Sequence, residues 1–340
     1  MPNFSLRELD KDQFFNPLDI RSDTPFTQAG FYGDWQKSLG RGVFRFLILH
    51  DGAPACFFQL ITYPLLFGKR YGYIPYGPIS KEYSEELLRF LRHEIIRIAE
   101  EKDLVFIRLD FTPSITDNRL LDALFVRSSR ATYHAAHFQP RAEWVMALDK
   151  PESELFSSLD KKTRYSIRMA EKKGVAIEIV RTNFLFYCER FCELMEETAA
   201  RNRFSLHSKA YYTGIFKGLS SDCAFLSVAR LGDLIIAIDL IVVYGKTANY
   251  VFGASSSVNR DALPAYAAQW AAIGEALRRG CARYNFGGIS LGDAYKGWEG
   301  LTTFKKQFTG SVWRHSDFYD VVRKPLWYRA YVLRKYFQHR

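Results

Sequence analysis

The chain has 340 residues, 48% of them hydrophobic and 16% aromatic, and a formal net charge of +10. That length favours two domains of roughly 150–170 residues, the apolar content is ample for their cores, and the basic balance favours anionic partners such as nucleic acid, nucleotide sugars or an anionic leaflet. Five cysteines without framework spacing fit a reducing compartment; MPNFSLRELDKD has no apolar signal region, and no run of about 18 apolar residues exists, so neither signal peptide nor membrane span is expected.

Along the chain, Val43–Leu49 and Ala55–Tyr63 flank His50-Asp51-Gly52, a hairpin signal. Tyr71–Ile79 reads as a Gly/Pro-stiffened loop with three tyrosines. Ser84 is placed as the N-cap of a helix running to Lys102, with Leu87, Leu88, Leu91, Ile95, Ile98 and Ala99 on one stripe. Leu104–Leu109 returns as a strand ending at Asp110. The second half repeats this grammar. Ala142–Leu148 is a strand, and Glu152–Lys173 reads as one helix stopped by Gly174. Val175–Val180 is a strand and Phe184–Ala200 a helix. Three antiparallel strands follow at Ala224–Ala229, Ile235–Tyr244 and Ala248–Phe252, then a helix opened by Pro264 and stopped by Gly280. Tyr284–Phe286 runs into Gly287-Gly288, where glycine permits positive φ or close approach to a bound group. Leu301 and Phe304 are spaced to bury one side of a turn, which places Lys305 beside an apolar ring. Two similar mixed α/β modules follow from this order.

Common nucleophile and phosphate signatures are missing. There is no GxxxxGK[ST] loop, and Gly253-Ala254-Ser255-Ser256-Ser257 lacks the second glycine of a nucleophile elbow. His134 and His137 lack the carboxylates or cysteines that complete a metal site, so no metal is expected. The remaining candidates are cations and aromatics suited to positioning. Lys161, Arg164, Arg168 and Lys172 recur at helical spacing as a basic face, which reads equally as phosphate binding or as a solvated surface. Arg201, Asn202 and Arg203 follow a helix and offer a planar donor fork. Tyr250 is placed at a strand end before Gly253, either for substrate or for cross-strand packing. Asp110 sits where a carboxylate faces a ligand or caps a turn.

Read together, TPFTQ followed by Trp35 and Lys37, YIPYGPI, FIRLDFTP, HFQPRAEWVMALDKPESELFSSLDKKTRYSIRMAEKKGV, ETAARNRF, NYVFGASS, LPAYAAQWAAIGEALRRG, YNFGGI and GLTTFKKQF cover most of the chain. They resemble the FemABX family of aminoacyl-tRNA-dependent peptidyltransferases, which build the interpeptide bridge of bacterial peptidoglycan. The resemblance implies an α/β fold of two GNAT-like domains without the coiled-coil insertion of larger members: residues 1–141 completed by 316–340, and residues 142–315. It implies that an amine on a stem-peptide side chain attacks the ester of an aminoacyl-tRNA, which is a co-substrate; no other cofactor is expected. The acceptor would be lipid II or UDP-MurNAc-pentapeptide. By the family's pattern Lys37 and Arg201 contact the precursor's diphosphate, Asp110 and Tyr250 surround the stem peptide, and Phe304 and Lys305 meet the acceptor end of the tRNA. With Arg164, Tyr76 is counted among the substrate-binding residues, although it stands where the family commonly has arginine. Asn285 replaces a common aspartate, which excludes a carboxylate base there.

The expectation is therefore a cytoplasmic aminoacyltransferase. Residues 321–340, with six Lys/Arg, no acid and aromatics at Trp327, Tyr328, Tyr331, Tyr336 and Phe337, suggest peripheral contact with the inner face of the plasma membrane. Two alternatives share these features. A GNAT-like acyl-CoA N-acyltransferase of surface polysaccharide synthesis requires a Gly-rich pyrophosphate loop opening a helix, and none is found. A noncatalytic RNA-binding protein would bind tRNA whether or not it is aminoacylated.

Overall fold

The computed structural model describes residues 3–10, 13, 15–111, 118–128, 139–202, 204–292 and 297–338. The chain divides into two units, Met1–Arg141 with Arg314–Arg340, and Ala142–Trp313. His134, His137 and Arg203 lie outside the described residues. The five cysteines are free thiols.

The first unit opens with β1 (Phe4–Glu8), α1 (Gly30–Ser38), β2 (Val43–His50) and β3 (Ala53–Pro64). The pairing of β2 with β3 is the antiparallel hairpin expected around Asp51-Gly52. Next come β4 (Arg70–Ile74), β5 (Ile79–Ser80), α2 (Glu85–Glu101), β6 (Leu104–Asp110), α3 (Asn118–Leu124) and β7 (Val126–Arg127). Tyr71–Ile74 is thus strand rather than loop. α2 starts where Ser84 Oγ accepts the Leu87 N–H at 3.1 Å, and its stripe from Leu87 to Ala99 is buried against the sheet. At roughly 1.5–3 kcal/mol for each large aliphatic side chain, this stripe is what holds the helix down.

In the second unit β8 (Ala142–Ala147) precedes α4 (Glu152–Ser158) and α5 (Lys161–Lys172). The single helix expected over 152–173 is broken, because Leu159 is extended and the Asp160 carboxylate accepts the Thr163 N–H at 2.7 Å, starting a second helix. β9 (Val175–Val180), α6 (Leu185–Asn202) and α7 (Lys209–Gly218) lead into β10 (Ala224–Leu231), β11 (Leu234–Tyr244) and β12 (Thr247–Ser255). α8 (Pro264–Arg278), β13 (Arg283–Gly288), α9 (Glu299–Lys306) and β14 (Ser311–Arg314) complete it. The sheet order is β14-β8-β13-β12-β11-β10-β9, and β12 with β13 is parallel, joined by the α8 crossover. Glu275 of α8 takes Arg181, Arg278 and Arg279; burial opposes its charge, but the three guanidinium groups hold the carboxyl down to about 2.

The chain then returns to the first unit with β15 (Phe318–Val322) and α10 (Pro325–Gln338), giving the order β1-β2-β3-β4-β6-β15-β7 with β5 on β3. β15 is antiparallel to β6, and its Asp320 stands opposite Arg108. These two side chains are fully buried and form a fork of two 2.6 Å bonds; Tyr328 of α10 donates to the same carboxylate at 2.7 Å. Burial disfavours the Arg108 charge, yet Asp320 outweighs it and raises its pKa.

Candidate active site

In the second unit the parallel ladder is short. β12 and β13 pair only from Thr247/Arg283 to Asn249/Asn285, after which β12 runs on to Ser255 and β13 to Gly288. Asn285 organises the point of divergence: its Oδ1 accepts the Gly287 N–H at 2.8 Å, and its amide reaches Asn249 at 3.4 Å. Gly287 has φ +74°, and a Cβ there would lie 3.3 Å from the Tyr250 carbonyl oxygen and 3.7 Å from Lys305 Nζ. Conformation and space both require glycine.

Lys305 projects into this turn from α9. It is 5% exposed, and its ammonium donates to the Gly288 carbonyl at 2.7 Å. The Tyr250 ring centroid is 6.0 Å away. Burial pushes the Lys305 pKa down to about 7, with the neighbouring Glu143 pulling it back up. The inward face of α9 is therefore Thr302 and Lys305. Leu301 is exposed, contrary to the expected apolar face, and Phe304 is half-buried against Tyr266 and Phe308 at 5.3 and 5.7 Å.

Tyr250 lies within β12 rather than at its end. A bulge in the β11–β12 register, where Leu240 faces Phe252 and Ile241 faces Tyr250, brings Tyr250 to the side of Gly253. A Cβ at Gly253 would fall 1.8 Å from the Tyr250 hydroxyl, so the phenol occupies the space glycine leaves. Its hydroxyl bonds Asp239, which also accepts Gln269 Nε2 at 2.8 Å, and Tyr284 donates to Gln269 Oε1 at 3.0 Å. Burial raises Asp239 to about 7, partly offset by Gln269 and Tyr250. Asp239, Gln269 and Glu143 are functional-site residues that the sequence reading does not include. The first two carried a signal, a lone acid in LIIAIDLIVVY and a lone amide in AAQWAAI.

Arg201 forks onto the Ser255 carbonyl at 3.2 Å and the Ser255 and Ser257 hydroxyls at 3.1 and 2.7 Å, which ties the end of α6 to the end of β12. Burial and then Arg260 lower its pKa. Arg164 donates to the carbonyls of Ser157 and Leu159 and so caps the C-terminus of α4. Arg168 stacks 5.1 Å from the Phe156 ring. The continuous basic face expected on α5 is thus divided, with Arg164 bonded inward and Lys161 and Lys172 exposed.

Asp110, Tyr76 and Lys37 belong to the first unit. Asp110 is 1% exposed and accepts the Tyr73 hydroxyl at 2.6 Å and the Tyr76 backbone N–H. Burial raises its pKa well above the carboxylate range despite those bonds. It therefore fixes the turn in which Tyr76 adopts φ +48°. The Tyr76 hydroxyl donates to the Pro140 carbonyl at 2.7 Å, and its ring stacks on His315 at 4.1 Å. Thr27 and Gln28, from TPFTQ, donate to the Pro75 carbonyl of the same turn at 3.0 and 2.6 Å. Lys37 is on the solvent side of α1, 3.4 Å from Asp34.

A model described as the FemAB family matches residues 128–233 and 232–335. The chain is 24% identical over 158 residues to a lipid II:glycine glycyltransferase of Staphylococcus haemolyticus, covering 44% of this chain and 36% of that protein. With the protein of the same name in Staphylococcus saprophyticus it is 22% identical, over 69% of this chain and 72% of the relative. The alignment thus spans only about a third of the first relative's length. A crystal structure of FemX superposes with a TM-score of 0.81 at 19% identity, covering 96% of this chain and all of that one. A tandem GNAT protein from the clavulanic acid biosynthesis pathway gives 0.55 at 10% identity over 94% and 98% of the two chains, and both likenesses support a fold of two GNAT-like units.

Proposed function

This chain belongs to the FemAB family, and from that membership we propose that it transfers an amino acid from an aminoacyl-tRNA to the side-chain amine of a peptidoglycan stem peptide. The stem-peptide amine attacks the ester carbonyl; the C–N amide bond forms, the ester C–O bond breaks, and the tRNA hydroxyl leaves with a proton. An ester is already activated, so positioning and charge stabilisation carry the catalysis. The relatives named lipid II:glycine glycyltransferase support a lipid-linked acceptor.

The observation that carries the proposal is Lys305, a buried ammonium bonded to Gly288 where β12 and β13 diverge. An ammonium has three donors, and among the described residues Gly288 takes one. The remaining donors serve a phosphate at the tRNA acceptor end or the oxyanion developing on the ester, in a setting where low local polarity strengthens the interaction. Tyr250 and Arg201 line the continuing strand β12, and Phe304 supplies an aromatic surface beside Lys305; Lys37, with Asp110 and Tyr76 holding the turn of the first unit, serves the precursor.

The test is transfer of labelled amino acid from a total charged tRNA pool to lipid-linked and UDP-linked muropeptides. Label is expected in the lipid-linked acceptor. Label in neither, from folded protein with charged tRNA, rejects the proposal in favour of acyl-CoA chemistry or noncatalytic RNA binding; uncharged tRNA competing as well as charged tRNA selects the latter.

A further inference from the structure

We infer that the outward face of α10, together with the tip of the β3–β4 hairpin, is a docking surface for an anionic lipid bilayer. α10 is anchored along one side only. Tyr331 is buried, 5.0 Å from the Phe106 ring and 6.0 Å from Tyr71, and Tyr328 is tied to Asp320. On the opposite side, Leu326, Leu333 and Phe337 are 78%, 58% and 70% exposed, and Ala330 completes their stripe at helical spacing. A helix with a packed inner face normally turns polar side chains outward, and this one turns out its largest aliphatic and aromatic residues.

The hairpin tip extends the same surface. Phe67 is 81% exposed and sits in the left-handed region at φ +55°, a conformation uncommon for a bulky residue. Its ring centroid is 5.9 Å from that of Trp327 on α10, and Lys69 lies 5.8 Å over the Trp327 ring. Leu66 beside it is exposed too. Two separate elements of one unit thus bring apolar side chains to the surface and meet at Trp327.

Charge selects the occupant. At 100° per residue Arg334 and Arg329 fall roughly 60–80° to either side of Leu326, flanking the apolar stripe. Both are exposed, and neither forms an ion pair among the described residues. The helix has no Asp or Glu. Arg323 and Lys324 just before it are engaged by Glu100 and Asp103, which leaves the outward face cationic. An apolar stripe bordered by arginine suits the boundary between acyl chains and anionic headgroups. A second copy docked by two-fold symmetry would set this arginine-bordered face against an identical arginine-bordered face, which disfavours self-association.

The surface is separate from the transfer chemistry and is tested without acceptor or tRNA. The full chain is sedimented with phosphatidylglycerol vesicles and with phosphatidylcholine vesicles, and folding of each variant is checked by thermal melt. Wild type is expected on the anionic vesicles and released by salt. Replacing Arg329→Gln and Arg334→Gln together is expected to weaken binding about thirtyfold. The triple variant Phe67→Ser, Leu326→Ser, Phe337→Ser is expected to weaken it by about a hundredfold or more. Wild type that stays in the supernatant, or a folded triple variant that binds as well as wild type, overturns the inference. So does a dimer that the triple variant dissolves while vesicles have no effect, since the face then belongs to a second copy.

Discussion

In the first unit β4 and β6 run parallel as far as Ile74 and Leu109, and β6 ends in Asp110; in the second the parallel pairing of β12 and β13 stops at Asn249 and Asn285, and β13 ends in Gly287 and Gly288. Each sheet joins its parallel strands by a crossover helix, and each buries an ionisable group near their end. Asp110 accepts from Tyr73 of β4 and from the Tyr76 backbone N–H in the turn after it, and burial keeps it toward its neutral form. Lys305 spends one donor on Gly288 and is held near the middle of its titration at neutral pH. A buried group whose bonds are closed by the neighbouring strand and its turn holds the fold in place. One that keeps unused donors beside a glycine turn retains capacity for a ligand.

The sharpest structural contrast comes from the first unit's closure. Asp320→Ala strands the fully buried Arg108 and is expected to cost about 3–5 kcal/mol, read by denaturant melt, and to release β15 and α10 together. No comparable loss is expected from Lys305→Met, because removing a buried charge also removes its desolvation cost. The sign of the pH response follows. Folded Lys305 releases its proton near pH 7 and the unfolded chain holds it to about 10.5, so between those values the unfolded state binds more protons and stability rises with pH. This contribution, on the order of a few kcal/mol, should vanish in Lys305→Met when melts at neutral and alkaline pH are compared.

Smaller effects refine the second unit. Gly253→Ala places a methyl 1.8 Å from the Tyr250 hydroxyl and is expected to cost about 1–3 kcal/mol by melt while lowering transfer, as the phenol leaves Asp239. Arg164→Ala removes a cap from α4 and should cost about 0.3–1 kcal/mol with little change in transfer. A large transfer defect there would instead assign Arg164 to substrate binding.

Legibility followed range. The hairpin at Asp51-Gly52, the Ser84 cap and the Pro264 helix start are local devices, legible from neighbouring residues. The break at Leu159-Asp160 is hidden because helical periodicity continues across it, whereas α7 does carry local signals, the Ser208 cap and Tyr212, Ile215 and Phe216 at helical spacing. Hydrophobicity points Leu301 inward, whereas the Gly288 carbonyl selects Lys305 for the interior. Gly287-Gly288 and Lys305 were legible as a pair, but Asp239 and Gln269 meet only through the sheet and α8, and their link to Tyr250 depends on a bulge that residue spacing does not disclose.

The most direct measurement is single-turnover transfer from charged tRNA by Lys305→Met and Asp110→Asn, at matched folded fractions and neutral pH. Loss of about a hundredfold or more for Lys305→Met, with Asp110→Asn within about tenfold of wild type, is the predicted result. Equal losses, or a larger loss for Asp110→Asn, would contradict the assignment of the chemistry to the second unit's lysine.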